Sequence, residues 1–358
     1  MHEQAHSDTR KTIFLSDKAM YSRGKKCSPF REAVPRYEPA EIIAPQKGMY
    51  DKRTSLSEAV RRCLKDKMHI SIGGLADTRL PVATIHEIIR RGARQLTLSV
   101  QSDSICCELL AGAMILNADH LSLRRIELAW SSHDNVGKAP LLRYLIDNEM
   151  VQADEYTSCG MSARFKAGAM GVPFLPTADH GNDMALHNRG KMIVCPFTGE
   201  NIYLVPACRP DLTLIHVQAA DMYGNGRIFG DHGSCREMAR ASVSTIVTAE
   251  EIISNTSIEN YPNLTEIPFY VVDAVVDQPF GATPVACYGN YGLNMPEIIE
   301  FVDICKDFCK TDNKERLRNY YNRYIFDMEN FDDFLEQKPY PVLQQLCQND
   351  GDQPIILD

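Results

Sequence analysis

Two adjacent glycines, Gly73-Gly74, follow the short apolar run His69-Ile70-Ser71-Ile72 and offer the first opening for chemistry. Without Cβ atoms, their backbone N–H groups can approach a ligand closely and face a thioester oxygen or a phosphate. The same pair would also serve as a plain turn. Just beyond, Asp77-x-Arg79-x-Pro81 sets a guanidinium where it can hold a carboxylate through paired hydrogen bonds, or simply stand in solvent at a helix start.

Two polar clusters come next. Val100-Gln101-Ser102-Asp103-Ser104 and Trp130-Ser131-Ser132-His133-Asp134-Asn135 each follow a strand-like run, so both read as loops at strand ends. There Gln101, Ser102 and Ser132 can contact a substrate. His133 has the side chain of a general base or of a helix cap, and Ser131 and Ser132 can equally cap a following helix. Glu250-Glu251 offers an acid/base pair, or two carboxylates favoured by the positive end of a helix.

These residues must be held by regular elements. Leu56, Ala59, Val60 and Leu64 share one helical face, and Ile85, Ile88 and Ile89 mark a second helix ending at Gly92. Strands are expected at His69–Ile72, Leu96–Val100, Asn201–Val205, Leu212–Val217, Arg227–Phe229, Thr245–Thr248 and Phe269–Val276. Between Val217 and Ile228, Gly224-Asn225-Gly226 signals a hairpin turn. After Met295 the pattern turns helical and charged. Helices alternating with strands predict an α/β fold with a doubly wound, mainly parallel sheet whose ligand loops lie at the carboxyl ends of the strands. Residues 1–53 are polar, rich in proline and without a sustained period, and read as an arm. Residues 54–340 form the expected body, and 341–358 a tail.

Composition narrows the function classes. The chain has 358 residues, 44% of them hydrophobic, ample for a packed core. A formal net charge of −9 argues against a nucleic-acid footprint. The twelve cysteines include no Cys-x-x-Cys pair, so no metal site is expected and buried, reduced thiols in a cytoplasmic protein are. No run reaches the length of a membrane span, and the N-terminus carries no apolar signal region.

Five ordered pieces then make a pattern: His69 to Pro81, the helix-to-strand joint Arg164-Phe165-Lys166-Ala167-Gly168-Ala169-Met170-Gly171-Val172-Pro173-Phe174-Leu175-Pro176, Tyr223 to Gly230, Val247 to Ile253, and Pro279-Phe280-Gly281-Ala282-Thr283-Pro284. In this order and spacing, from about Ser55 to about Gln337 and including Tyr324-Ile325-Phe326-Asp327, the chain resembles the α subunit of a family I coenzyme A transferase, the glutaconate type most of all.

The resemblance implies a CoA-transferase fold closed by C-terminal helices, and transfer of CoA between an acyl-CoA and a carboxylic or dicarboxylic acid. Coenzyme A would be a substrate, with no cofactor bound permanently. The nucleophilic Glu would come from a β-type subunit, leaving this chain inactive alone. It implies a substrate-side role for Gly73, Gly74, Arg79 and the Ser132 loop. It also sets Ser158 in the catalytic site, where related transferases carry a Gln beside the catalytic carboxylate and related steroid-ring-opening hydrolases a Glu. Ser158 departs from both, as Thr283 departs from the His of the glutaconate pattern. The alternatives are one half of a hydrolase for a CoA-linked substrate, or a non-catalytic ligand sensor on a related fold.

Overall fold

The computed structural model describes residues 47–133, 136–178 and 188–338, together with Leu343 and Cys347. Contacts divide the chain between Tyr37 and Glu38, and everything described lies in the second unit.

The chain alternates helix and strand through its first half. Helix α1 (Leu56–Cys63) starts at Ser55, whose Oγ accepts the Glu58 N–H, and buries Leu56, Ala59 and Val60. Strand β1 (His69–Ile72) leads through the glycine pair to α2 (Val82–Arg91), which Gly92 ends at φ +75°. Strand β2 (Leu96–Asp103) is followed by α3 (Cys106–Leu116). Cys106 to Ile115 are all buried, so α3 is apolar all round, as a helix sandwiched between layers must be. Asp103 secures its start by accepting the Cys106 and Cys107 N–H groups at 3.1 and 2.8 Å.

Strand β3 (Leu123–His133) turns back through β4 (Gly137–Lys138), and α4 (Pro140–Asp147) leads to β5 (Gln152–Glu155) and α5 (Ser158–Ala169). The joint after α5 behaves as its small residues predict. A Cβ on Gly168 would stand 2.0 Å from the Cys208 carbonyl, Gly171 turns the chain at φ +73°, and β6 (Phe174–Thr177) follows.

Strands β7 (Lys191–Val194) and β8 (Asn201–Pro206) join β6 in a small antiparallel sheet of order β6-β8-β7. The rest comprises β9 (Leu212–Ala220), β10 (Gly226–Arg227), α6 (Cys235–Ala241), β11 (Ser244–Ile252), α7 (Asn255–Asn260), β12 (Thr265–Ile267) and β13 (Ala274–Asp277). Helices α8 (Met295–Thr311), α9 (Glu315–Tyr321) and α10 (Phe331–Glu336) close the body, with Phe331 and Phe334 of α10 edge-on to His86 of α2.

Parallel pairing runs β13-β11-β9-β1-β2-β3-β5 through the main sheet. The first half of the chain winds outward from β1 in one direction, and the second half returns to lie beside β1 and winds outward in the other. The order reverses between β1 and β9, and the loops leaving the carboxyl ends of those two strands diverge over a crevice. Antiparallel β10 and β12 continue the sheet beyond the end of β1.

Four expectations need correcting. Gln101 to Asp103 and Trp130 to His133 are strand, not loop, because pairing of β2 with β3 continues through Ser102–Trp130 and Asp103–Ser131. Glu250 and Glu251 lie inside β11 and start no helix. The expected strand Phe269–Val276 is split: Pro268 opens a 3-10 turn at Phe269–Val271, and only Ala274–Asp277 pairs. Cysteine burial is mixed, with Cys159, Cys309 and Cys347 exposed and Cys63 and Cys195 half-buried. At the edge of the polar leader, Arg53 bridges to Val275, and Lys52 Nζ donates to the Phe269 carbonyl at 2.6 Å. No helix among the described residues is long and apolar enough to cross a membrane.

Candidate active site

The turn after β1 is tightly constructed. Gly73 donates its N–H to the Leu214 carbonyl at 2.8 Å and Gly74 to Cys235 Sγ at 3.2 Å, so both groups already have partners within the chain. Gly74 sits at φ +92°, and a Cβ there would stand 2.8 Å from the Arg79 carbonyl oxygen. Leu75 and Thr78 exchange N–H···O bonds of 3.0 Å, which forces Ala76 and Arg79 to φ +50° and +53°. Positive φ at two non-glycine residues costs of order 1–3 kcal/mol each, so the surrounding structure must over-determine this turn. It does so from the 280s segment: Arg79 N donates to the Ala286 carbonyl at 2.8 Å, and Ala286 N to the Asp77 carbonyl at 2.9 Å.

That strained turn delivers Arg79 into the crevice. Its side chain is fully buried, Nη2 donates to the Asp231 carbonyl, and Nε and Nη1 meet no partner. The Gln101 amide nitrogen donates to Ser158 Oγ at 3.1 Å, while its Oε1 is also unmet. Gly233 lies between these elements, because a Cβ on it would be 3.3 Å from the Gly74 carbonyl and 3.4 Å from Gln101 Oε1. Ser234 closes the ring through a 3.1 Å contact between its hydroxyl and that of Ser162. Ser158 itself is exposed at the start of α5, where Thr157 caps the helix by accepting the Gly160 N–H at 2.9 Å.

Of the residues expected from sequence, the fold therefore gathers Gly74, Arg79, Gln101 and Ser158 around the 231–234 loop, with Gly73 beneath. His133 joins from the flank, fully buried and 3.9 Å from the Asp77 carboxylate. Ser132 donates to the Gly137 carbonyl at 2.9 Å, which engages its hydroxyl in the β3–β4 hairpin. Strand alternation turns Ser102, which lies opposite Trp130, away from Gln101. Sequence reasoning misses the 231–234 loop because its contribution is backbone and glycine, which carry no side-chain signal.

It also misses the network behind the turn. Glu250 Oε1 accepts from His216 Nε2 and from the Tyr291 hydroxyl, both at 2.6 Å, and Oε2 accepts the Phe280 N–H at 2.8 Å. Tyr291 in turn accepts the Ala282 N–H at 3.0 Å, so Glu250 anchors the segment that grips Arg79. Burial and the neighbouring carboxylate hold the Tyr291 phenol well above its usual pKa, so it stays a donor. Thr283, buried beside this network, leaves its hydroxyl unmet.

Donor atoms of His216, Glu250 and Cys287, and of His69, Glu127 and Cys208, lie within 4.8 Å of one another, which raises the question of a metal. In the first group the oxygens of Glu250 already accept three hydrogen bonds. In the second, Arg164 and Arg189 both pair with Glu127, and two guanidinium charges oppose a cation. Burial, reinforced by the Arg164 charge, pushes the His69 pKa down to about 3, so it stays neutral near pH 7. Both groups read as hydrogen-bonded core.

The profile of the coenzyme A transferase family matches residues 53–278. An uncharacterized protein of Archaeoglobus fulgidus is 34% identical over 80% of the chain, and the chain spans 62% of that relative's length. The A chain of the 3-oxoadipate CoA-transferase of Pseudomonas knackmussii is 31% identical over 78% of this chain and 95% of its own. The Cholesterol ring-cleaving hydrolase IpdA subunit of Mycobacterium tuberculosis is 25% identical over 68% of this chain and 85% of its own. The crystal structure of glutaconate coenzyme A-transferase from Acidaminococcus fermentans superposes with a TM-score of 0.76 at 27% identity, covering 82% of this chain and 95% of that one.

Proposed function

The chain belongs to the coenzyme A transferase family, and from that premise we propose that it is the α-type subunit of a CoA transferase for a carboxylic acid, with the crevice between β1 and β9 as the acid site. One observation carries this reading: Arg79, fully buried at the point where the strand order reverses, holds out two nitrogens that nothing in the chain meets. An isolated buried cation costs several kcal/mol, and a bound carboxylate removes that cost. The relatives named for 3-oxoadipate and glutaconate favour a dicarboxylic acid.

In the mechanism that follows, a carboxylate supplied by a β-type partner attacks the acyl-CoA thioester and expels the CoA thiolate, giving an acyl anhydride. The thiolate then attacks the enzyme-side carbonyl of the anhydride, which releases the acid and leaves an enzyme–CoA thioester. The acceptor carboxylate attacks that thioester and the sequence reverses. Arg79 holds the acid in line, and Gln101 and Ser158 offer polar contacts where charge develops on the thioester oxygen.

Reconstitution tests the reading. The chain alone should transfer no CoA, and a β-type partner should restore transfer that Arg79→Met removes mainly through a raised KM for the acid. Robust transfer by the isolated chain would overturn the division of labour. The relative from the ring-cleaving hydrolase supports a second reading. Under it, Ser158→Glu raises hydrolysis of a CoA-linked substrate by supplying a base, whereas under the first reading it does not.

A further inference from the structure

We propose a second anion site in this chain, built on Arg227 and suited to a phosphate group, independent of the acid site. Arg227 is fully buried in β10. Its Nη2 donates to the Ser257 carbonyl at 2.6 Å, while Nε and Nη1 have no partner. No salt bridge joins it to a carboxylate among the described residues; burial is the one influence on its pKa, and it pushes that pKa down. The neighbouring carboxylate of Glu266 is taken by Arg236, whose Nε donates to it at 2.8 Å.

A second unmet group stands opposite. Arg227 pairs with Thr265 across β10 and β12, and the Thr265 hydroxyl is buried without a partner. A charged donor with open N–H groups on more than one side, next to a hydroxyl, suits an anion presenting several acceptor oxygens, which a phosphate does. The place suits a ligand too. β9 pairs with β1 up to Leu214 and with β10 at Ala219 and Ala220, so Arg227 lies in line with β1, about 16 Å past its end. It is thus on the ligand side of the sheet, and the chain runs directly from it to Asp231, whose carbonyl holds Arg79.

The phosphate can be free or part of a larger molecule such as coenzyme A, and two arms of one experiment separate these. The full chain is melted with increasing inorganic phosphate against chloride at matched ionic strength, then with coenzyme A in phosphate-free buffer. The expected result is a saturable rise in midpoint of about 2–4 °C with phosphate. Arg227→Gln abolishes the rise without lowering the phosphate-free midpoint, Arg227→Lys keeps a weaker one, and Thr265→Val weakens it several-fold. A rise with coenzyme A that inorganic phosphate competes away assigns the site to the phosphates of that molecule; a rise with phosphate alone assigns it to the free ion. Absence of any saturable rise in the parent chain overturns the proposal. So does an equal rise in Arg227→Gln and the parent, because Arg227 then serves only to tie down α7 through Ser257.

Discussion

Arg164 and Arg79 are both buried on loop-bearing faces of the same sheet, yet their surroundings differ in one respect. Every nitrogen of Arg164 is engaged: Nε with the Pro206 carbonyl at 3.1 Å, Nη2 with Glu127 at 2.8 Å and Nη1 with Met161 Sδ at 3.4 Å, while its plane stacks 4.2 Å from the Tyr156 ring. Arg79 keeps one contact and leaves two nitrogens open. A satisfied buried charge belongs to the architecture, whereas an unsatisfied one holds its place only because the fold around it is stable enough to carry the cost. The same contrast separates the Glu250 network, fully bonded, from Gln101 with its open Oε1.

The largest expected effect tests that contrast directly. Arg164→Met takes one of two cations from Glu127 and should destabilise the chain by about 3–5 kcal/mol in urea denaturation. Arg79→Met should cost under about 1 kcal/mol or stabilise, because it removes an uncompensated charge. Equal losses in the two variants would show that open donors carry no information about function.

Next in size is a pH effect far from the crevice. Glu108 accepts the Leu141 and Leu142 N–H groups at 3.0 and 2.8 Å at the start of α4, and burial raises its pKa to about 7 in spite of them. Folded Glu108 binds its proton more tightly than the unfolded chain does. This contribution to stability is therefore complete below about pH 4.5 and fades as pH rises through 7, by up to about 3 kcal/mol. Glu108→Gln should flatten the fall in stability between pH 5 and 8, read as the difference in urea midpoint from the parent at each pH. A parallel profile in the variant would mean that Glu108 is ionised in both states.

Gly74→Val brings the comparison back to the turn. Its Cβ would press on the Arg79 carbonyl at 2.8 Å with φ held at +92°, so the substitution should cost about 1–3 kcal/mol and displace Arg79 together with it. A folded variant of parental stability that retains acid binding would show that the turn tolerates a side chain.

What is legible in the sequence follows the same division. Periodic apolar patterns locate β1, α2 and the joint at Gly171, because core positions repeat at the spacing of their element. Gly74 and Arg79 stand out by residue type in a strand-to-helix turn. The 231–234 loop does not, since a carbonyl oxygen and a glycine have no distinctive side chain. Adjacent glutamates fit a helix start, so local pattern alone misplaces Glu250. Only the sheet, which aligns Glu250 with His216 of β9 and the 280s segment, reveals a hub made of residues far apart in sequence. Arg227 gives no signal for the same reason: what marks it is the lack of a partner, which is a property of the folded chain.

The smallest expected effect lies at Ser158, on the rim of the crevice. Its hydroxyl accepts one hydrogen bond, from Gln101 at 3.1 Å, and the residue is exposed, so Ser158→Ala should change stability by less than about 1 kcal/mol. Any larger effect must come from the reaction. If Gln101 and Ser158 jointly face the thioester oxygen, Ser158→Ala in the reconstituted complex should lower kcat for transfer by roughly tenfold, about the worth of one hydrogen bond. Ser158→Gln should hold or raise it, because the longer amide reaches further into the crevice as a donor. Equal kcat values for the parent, Ser158→Ala and Ser158→Gln, all folded, would remove Ser158 from the chemistry and leave Arg79 and Gln101 as the chain's contribution to the site.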